Sequence, residues 1–334
     1  MSEPWKRSSS WAAICIAAVG LAWASSPPAD AAERTIRFAH IFSPEHSIHK
    51  AAQHMAEVVR EQTNGDLEIT ILPSEQLGNE RQIMEGLMFG SIDMGSVTNN
   101  IVQGFEPAAG VMALPYLIRS FDHAFAIEDG PIGNEIAERV LESTGVRTVG
   151  YNVTGFRMIA TRDEPVQTLD AFEGLRIRVP ESPVMVQTFQ ALGANPTPIP
   201  WGELYTAMQT NVVDACEAPP AALNDIKIFE VAKALSKTNH VYTGQFVLIN
   251  ETLWQDLSED EKSALLAGAQ ANTEMQRALA VESEAATLKQ VEAEQGVTVY
   301  EVDTTPFQSA VESVYEDFAG QIGGMELIDG IREM

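Results

Sequence analysis

Apolar residues along this chain recur at two periods, and the periods alternate. Ile36-Arg37-Phe38-Ala39-His40 predicts a first strand. Ile48, Ala51, Ala52, Met55, Val58 and Val59 then fall at i, i+3, i+4 spacing, the mark of an amphipathic helix. Asn64-Gly65-Asp66 is a turn. Leu67 to Leu72 alternates as a strand and ends at Pro73. Ile83, Met84, Leu87 and Met88 predict a short helix stopped by Gly90, and Ile92 to Val97 predicts a third strand. This β-α-β-α-β order with short connections predicts an α/β domain with a largely parallel sheet.

A second α/β pattern begins near Thr148-Val149-Gly150-Tyr151. Met158 to Thr161 and Leu175 to Val179 read as strands, and Pro183 to Leu192 and Leu204 to Gln209 as helices. Phe246 to Asn250 is a late strand that returns the chain to its first domain. Ser258-Glu259-Asp260-Glu261 is a capping box that opens a long helix, expected from Glu259 to about Gln295 with Gly296 as its stop. At 1.5 Å per residue it reaches roughly 50 Å, enough to lie across two domains. Val311 to Phe318 predicts a shorter terminal helix. The sequence has no internal repeat and no flexible linker, which fits domains joined by several strand crossings.

The first 31 residues follow a different pattern. Lys6 and Arg7 precede an apolar run from Trp11 to Trp23, and Ala29-Asp30-Ala31 offers a small-x-small cleavage site. The run is too short to span a bilayer comfortably. Residues 1–31 are therefore expected to be a secretory signal peptide, with the mature chain starting near Ala32. Cys15 lies inside the apolar run rather than after small residues at its end, which argues against a lipid attachment site. The mature chain then holds one cysteine, Cys216, which cannot form an internal disulfide. Folding must rest on burial, and about 300 residues suffice for two domains.

The net charge is −26 and survives removal of the signal, where Glu3 and Asp30 balance Lys6 and Arg7. Such a surface repels nucleic acid and anionic lipid. An anionic ligand would need locally concentrated positive charge. Arg157, Arg176 and Arg178 supply it, within 22 residues of a chain that has fourteen arginines in all. Arg offers a planar fork of donors that matches a carboxylate. Arg178 has two readings at this point: a ligand anchor, or a structural salt bridge with Glu217 or Glu181. Period-two alternation puts Arg176 and Arg178 on one face, so periodicity does not separate them. Trp201, after Pro198-Ile199-Pro200, is a core residue or the flat wall of a pocket.

Motifs for catalysis are missing from the sequence: it has no GxSxG, GxxxxGK, HExxH or GxGxxG. His40, His46, His49 and His54 cluster near the N-terminus, but no cysteine or second ligand cluster accompanies them, and solvated helix-face histidines are the expectation. Glu80 with His40 is the best acid–base pair on offer, with no nucleophile beside it.

The mature chain resembles the solute-binding proteins of tripartite ATP-independent periplasmic (TRAP) transporters, the DctP family. The resemblance runs through Gly65 to Ile69, Gln76-Leu77-Gly78-Asn79-Glu80, Gly90-Ser91-Ile92-Asp93-Met94, Ala113-Leu114-Pro115-Tyr116, Gly174 to Pro180, Glu203 to Asn211 and Thr238-Asn239-His240. It implies a two-lobed periplasmic binding protein fold, with an inter-lobe ligand cleft, hinge strands and a long helix spanning both lobes. The lobes would be 32–155 with 244–283, and 156–243 with 284–334.

It also implies that Arg178 binds a ligand carboxylate, that Arg157 assists, and that Trp201 is the aromatic wall. Glu80, Thr98 and Asn99 resemble first-lobe pocket positions, and His40 is a further candidate. Many relatives read Gln-Glu-Asn-Pro where this chain has Cys216-Glu217-Ala218-Pro219. Ala218 cannot donate the hydrogen bond of that asparagine, which allows a bulkier or less polar acid, while Glu217 is kept as an orienting or accepting group.

The reading is a binder and not an enzyme: a periplasmic, monomeric protein that delivers a small organic carboxylate to a permease of two integral-membrane components. It needs no cofactor, metal or nucleic acid. The rivals are a ligand sensor of the same fold, an exported hydrolase or lyase, and a metal binder using the histidines.

Overall fold

The structure is a computed structural model that describes residues 34–334, besides Met1; the expected signal peptide, its cleavage site and Cys15 lie outside the described residues. The strands are β1 (Arg34–Ala39), β2 (Leu67–Leu72), β3 (Met94–Thr98), β4 (Val146–Phe156), β5 (Met158–Thr161), β6 (Arg176–Val179), β7 (Asn195–Pro198), β8 (Ala215–Ala218), β9 (Ala234–Lys237), β10 (Tyr242–Asn250) and β11 (Thr298–Glu301). They form two sheets, ordered β2-β1-β3-β10-β4 and β11-β9-β5-β8-β6-β7. Each sheet with its helices makes one lobe.

In the first lobe β1, β2 and β3 run parallel, each pair joined through a helix, Ser47–Gln62 or Glu80–Phe89. The expected parallel sheet holds only that far. β10 lies antiparallel between β3 and β4. The segment around Thr148 to Tyr151 does not open the second lobe; it belongs to the long strand β4 of the first sheet. A polar and half-buried pattern in β4 hides this pairing from periodicity, because one face packs on the long helix.

Among the described residues the chain crosses between the lobes in several places, the last after β11, where it returns to the first lobe. β4 passes into β5 at Arg157, β9 passes into β10 through Thr238 to Val241, and helix Glu259–Gln295 packs against both lobes. Gly155 sits at φ 125°, a conformation open to glycine at little cost, where β4 leaves the first sheet. The long helix begins and ends where the sequence places it. Ser258 accepts from Glu261 N at 3.2 Å, the Glu261 carboxylate accepts from Ser258 N at 2.7 Å, and Gly296 closes the far end in the left-handed region. β7 carries Pro196 and Pro198 and lies at a sheet edge, where missing backbone donors are tolerated.

The C-terminal segment divides its contacts between the two sheets' surroundings. β11 does pair with β9 in the second lobe. The final helix Glu326–Glu333, unmarked by the sequence reading, instead packs on the first-lobe helix Pro131–Thr144, and the Ile331 and Arg332 carbonyls bond His123 and Arg119. Its strong apolar stripe, Leu327, Ile328 and Ile331, finds its buried surface there.

Candidate functional site

β6 positions Arg178. The strand is buried from Ile177 onward, so its two arginines part company: Arg176, at the strand start, is exposed and forks onto Asp214, while Arg178 is 2% exposed. Among the described residues Arg178 makes no salt bridge. Its Nε donates to the Ile199 carbonyl at 2.8 Å, and its guanidinium lies 5.6 Å from the Trp201 ring centre. Among the described residues no acceptor meets its terminal nitrogens. Burial lowers its pKa to about 10, Glu217 opposes the shift and Arg157 adds to it, so it remains a cation near neutral pH.

The first lobe faces it with the carboxyl end of β3, the end where ligands bind in open α/β sheets. Asn79 and Gln82 form a capping box that fixes the helix start at Glu80. The Glu80 carboxylate accepts from Thr98 N at 2.7 Å and Thr98 Oγ1 at 3.1 Å. Burial raises its pKa to about 7, against the Thr98 hydrogen bonds and Arg178. Asn99 turns away: it lines a separate hollow with Met112, Ile127 and Tyr151, and the next residue, Asn100, faces the cleft instead. The helical turn that starts at Asn99 rotates successive side chains by about 100°.

Arg157 reaches the cleft but is already engaged. Its Nε and Nη2 grip both oxygens of Glu217, and Nη2 also donates to the Glu217 carbonyl at 2.7 Å. Nη1 donates to Thr243 Oγ1 at 3.0 Å. Glu217 is fully buried, and its carboxylate further meets His240 Nε2 at 3.2 Å. Burial pushes its carboxyl up, but Arg157 and His240 outweigh this and hold it below the usual range. Glu217 is therefore a partner of Arg157, not of Arg178, and it does not line the cavity. Its neighbour Cys216 is buried, and burial pushes the thiol up to about 12.

His40 also lies away from the cavity. Its Nε2 sits 3.1 Å from His49 Nδ1 beneath helix Ser47–Gln62, and burial, then His49 and His46, lower its pKa to about 3. That removes it as a partner for Glu80. His46 accepts from Ile48 N at 3.2 Å as a helix cap and stacks on Phe42, with ring centres 4.1 Å apart. So His40, His46 and His49 are buried and structural rather than solvated as expected, and only His54 faces outward.

Between the lobes lies a cavity of about 30 Å³, room for one or two water molecules. Arg178, Arg157, Glu80, Thr98 and Trp201, five of the residues singled out in the sequence, line it. Ile41, Phe42, Thr154, Pro180, Ala222 and Thr243 line it without having been anticipated; Ile41 and Phe42 follow β1, and their place after a strand end was the available signal. The lobes close over it by direct bonds. Ser43 N donates to Asp225 at 3.1 Å, Gly202 N donates to Glu75 at 3.1 Å, and Phe42 packs 6.3 Å from Trp201.

The fold that carries this cleft is shared with known proteins. The family model for bacterial extracellular solute-binding protein, family 7, matches residues 38–321. A solute-binding protein of Roseobacter denitrificans is 32% identical over 90% of this chain and 90% of its own. A TRAP periplasmic solute-binding protein of Bradyrhizobium, in complex with D-galacturonate, superposes with a TM-score of 0.86 at 32% identity, over 90% of this chain and 100% of that one. One from Bordetella, with density interpreted as pantoate, gives 0.85 at 30% identity, over 89% and 98%. The chain belongs to this family, the extracellular solute-binding proteins of TRAP transporters.

Proposed function

We propose that this chain captures a small organic carboxylate in the cleft and delivers it, in the periplasm, to the two membrane components of a TRAP permease. One observation carries the reading: Arg178 lines an inter-lobe cavity, and its terminal nitrogens have no protein acceptor among the described residues. A buried cation without a counterion is costly, and an incoming carboxylate supplies both the charge and the acceptors. Relatives with bound galacturonate or pantoate give the ligand class.

Arg178 is the anchor in this reading, with Trp201 as the wall that stacks on it. Glu80 and Thr98 form the polar wall opposite, and Arg157 adds charge while held by Glu217. Asn100 takes the place first given to Asn99. His40 and Glu217 act from outside the cavity, on its framework. The lobes proposed are 32–155 with 244–283 and 156–243 with 284–325; the final helix goes with the first lobe. Binding without turnover is supported by the solute-binding role of the family. An export signal at 1–31 agrees with the family's periplasmic members.

A thermal-shift screen of the refolded mature chain tests the proposal, refolding being needed to shed carried ligand. Organic acids should raise the melting temperature, because a ligand that binds only the native state stabilises it by mass action. Stabilisation by neutral or cationic compounds alone would reject the Arg178 anchor.

A further inference from the structure

We infer that capture of a carboxylate by Arg178 takes up a proton, and that Glu80 receives it and meets the ligand as a neutral acid. This rests on the proposed reading that Arg178 anchors a carboxylate in the cleft.

Few charges surround the cavity. Glu80 and Arg178 come from opposite lobes, line the same small space and are 9% and 2% exposed. Arg157 also lines it, but Glu217 matches its charge. One cation, Arg178, and one carboxyl, Glu80, are left to balance each other. Among the described residues Glu80 accepts only from neutral donors, Thr98 N and Thr98 Oγ1, and no hydrogen bond joins it to Arg178. The two groups therefore act on each other through space.

A carboxylate on Arg178 upsets that balance twice, with one sign. It neutralises the cation whose field favours an ionised Glu80, and it adds a second carboxylate to a closed, buried space. Two carboxylates with one free cation leave a buried negative charge, which is costly until a proton removes it. The ligand's carboxylate, forked by arginine, is the one held ionised. Glu80 is the one disposed to the proton, because burial already raises its pKa to about 7. As an acid it gains an O–H donor that the carboxylate lacks.

The other titratable groups nearby are poorer receivers. Glu75, on the turn before helix Glu80–Phe89, also feels Arg178, but it is half-buried, lies outside the cavity lining and accepts from Gly202 N at 3.1 Å. Glu217 is held ionised by Arg157 and His240, and burial keeps His240 from charging.

Calorimetric titration of the refolded protein with D-galacturonate, pantoate and D-erythronate, in HEPES and in Tris, tests this. A proton drawn from the buffer makes the measured heat differ between the two. At pH 8, where Glu80 without ligand is mostly ionised, each acid bound should take up close to one proton. Affinity should be about tenfold weaker at pH 8 than at pH 6, the drop expected when a group of pKa about 7 must be protonated for binding. Glu80→Gln is neutral at every pH, so it should exchange no proton and hold one affinity from pH 6 to pH 8. Glu75→Gln should keep the parent's uptake. Equal heats in the two buffers at pH 8 for the parent protein overturn the inference and leave the Arg178 anchor standing. So does uptake that survives Glu80→Gln. Undiminished affinity in Arg178→Met, or failure of all three acids to bind at pH 6, removes the anchor and the inference together.

Discussion

Arg157 and Glu217 form a buried ion pair beside the cleft, with side chains 5% and 0% exposed, and it is Arg178, not Arg157, that is left without a carboxylate. The pair joins the hinge to the second sheet, since Arg157 sits between β4 and β5 and Glu217 lies on β8. One arginine is thereby assigned to the framework and the other to the ligand. Their burial is similar, so their partners make the distinction.

Removing one member of that pair leaves the other charged and buried. Glu217→Ala is expected to lose about 3–5 kcal/mol of stability, read from urea unfolding. Replacing both residues by apolar ones of similar volume should cost less than the sum of the single changes. A loss below about 1 kcal/mol for Glu217→Ala, the range of exposed pairs, would mean the pair does not hold the hinge.

Glu80 gives a pH dependence of opposite sign to a salt-bridged acid. Its pKa is raised from 4.5 to about 7 by burial, against the Thr98 bonds. Between those values the folded chain keeps a proton that the unfolded chain has lost. Its contribution to stability is therefore full below pH 4.5 and is lost as pH rises through about 7. Glu80→Gln should flatten that fall, by on the order of 3 kcal/mol across the window. Parallel pH–stability curves for parent and variant would show that Glu80 titrates normally.

The closing contacts should govern ligand release. Asp225 accepts from Ser43 N at 3.1 Å across the cleft, and also from the Ser43 hydroxyl. Asp225→Ala removes bonds that exist only when the lobes are together. The closed population falls and the dissociation rate should rise roughly tenfold, the effect of about 1.4 kcal/mol, with little change in association. Stopped-flow with indole fluorescence measures both rates. An unchanged dissociation rate would show that this contact does not hold the lobes closed.

The long helix approaches helix Ser47–Gln62 at Gly268. A Cβ there would lie 2.6 Å from Val59 Cγ2 and 3.1 Å from the Met55 carbonyl oxygen. Alanine favours a helix over glycine by about 1 kcal/mol, so a stabilising Gly268→Ala would be the outcome on propensity alone. The close contact is expected to dominate and lower the melting temperature. A raised melting temperature would mean that the helices can part at no cost.

Elements with strong periodicity or clear stop signals were legible in the sequence. The long helix falls on Glu259–Gln295 because Ser258, Glu261 and Gly296 mark its ends chemically. β2 and β5 match because a turn or a proline bounds short apolar runs. The pairing of β4 with β10 was not legible, since antiparallel partners far apart in sequence leave no local mark. At the site, Arg178 and Trp201 stood out by residue type in an apolar context. Which arginine Glu217 would pair with depended on strand register: Met158 lies opposite Ala218 and Ile159 opposite Glu217, which brings Arg157 beside Glu217. Asn99 came from the resemblance alone; β3 ends at Thr98 and a helical turn begins at Asn99, which brings Asn100 to the cavity.

The most direct test of the account is calorimetric titration of Arg178→Met with the acid that stabilises the refolded parent most. Burial disfavours the Arg178 charge in the folded chain, so the variant should melt no lower than the parent while its affinity falls by at least about 100-fold, or 2.7 kcal/mol. Near-native affinity in a folded variant would contradict the account and place the ligand's charge elsewhere in the molecule.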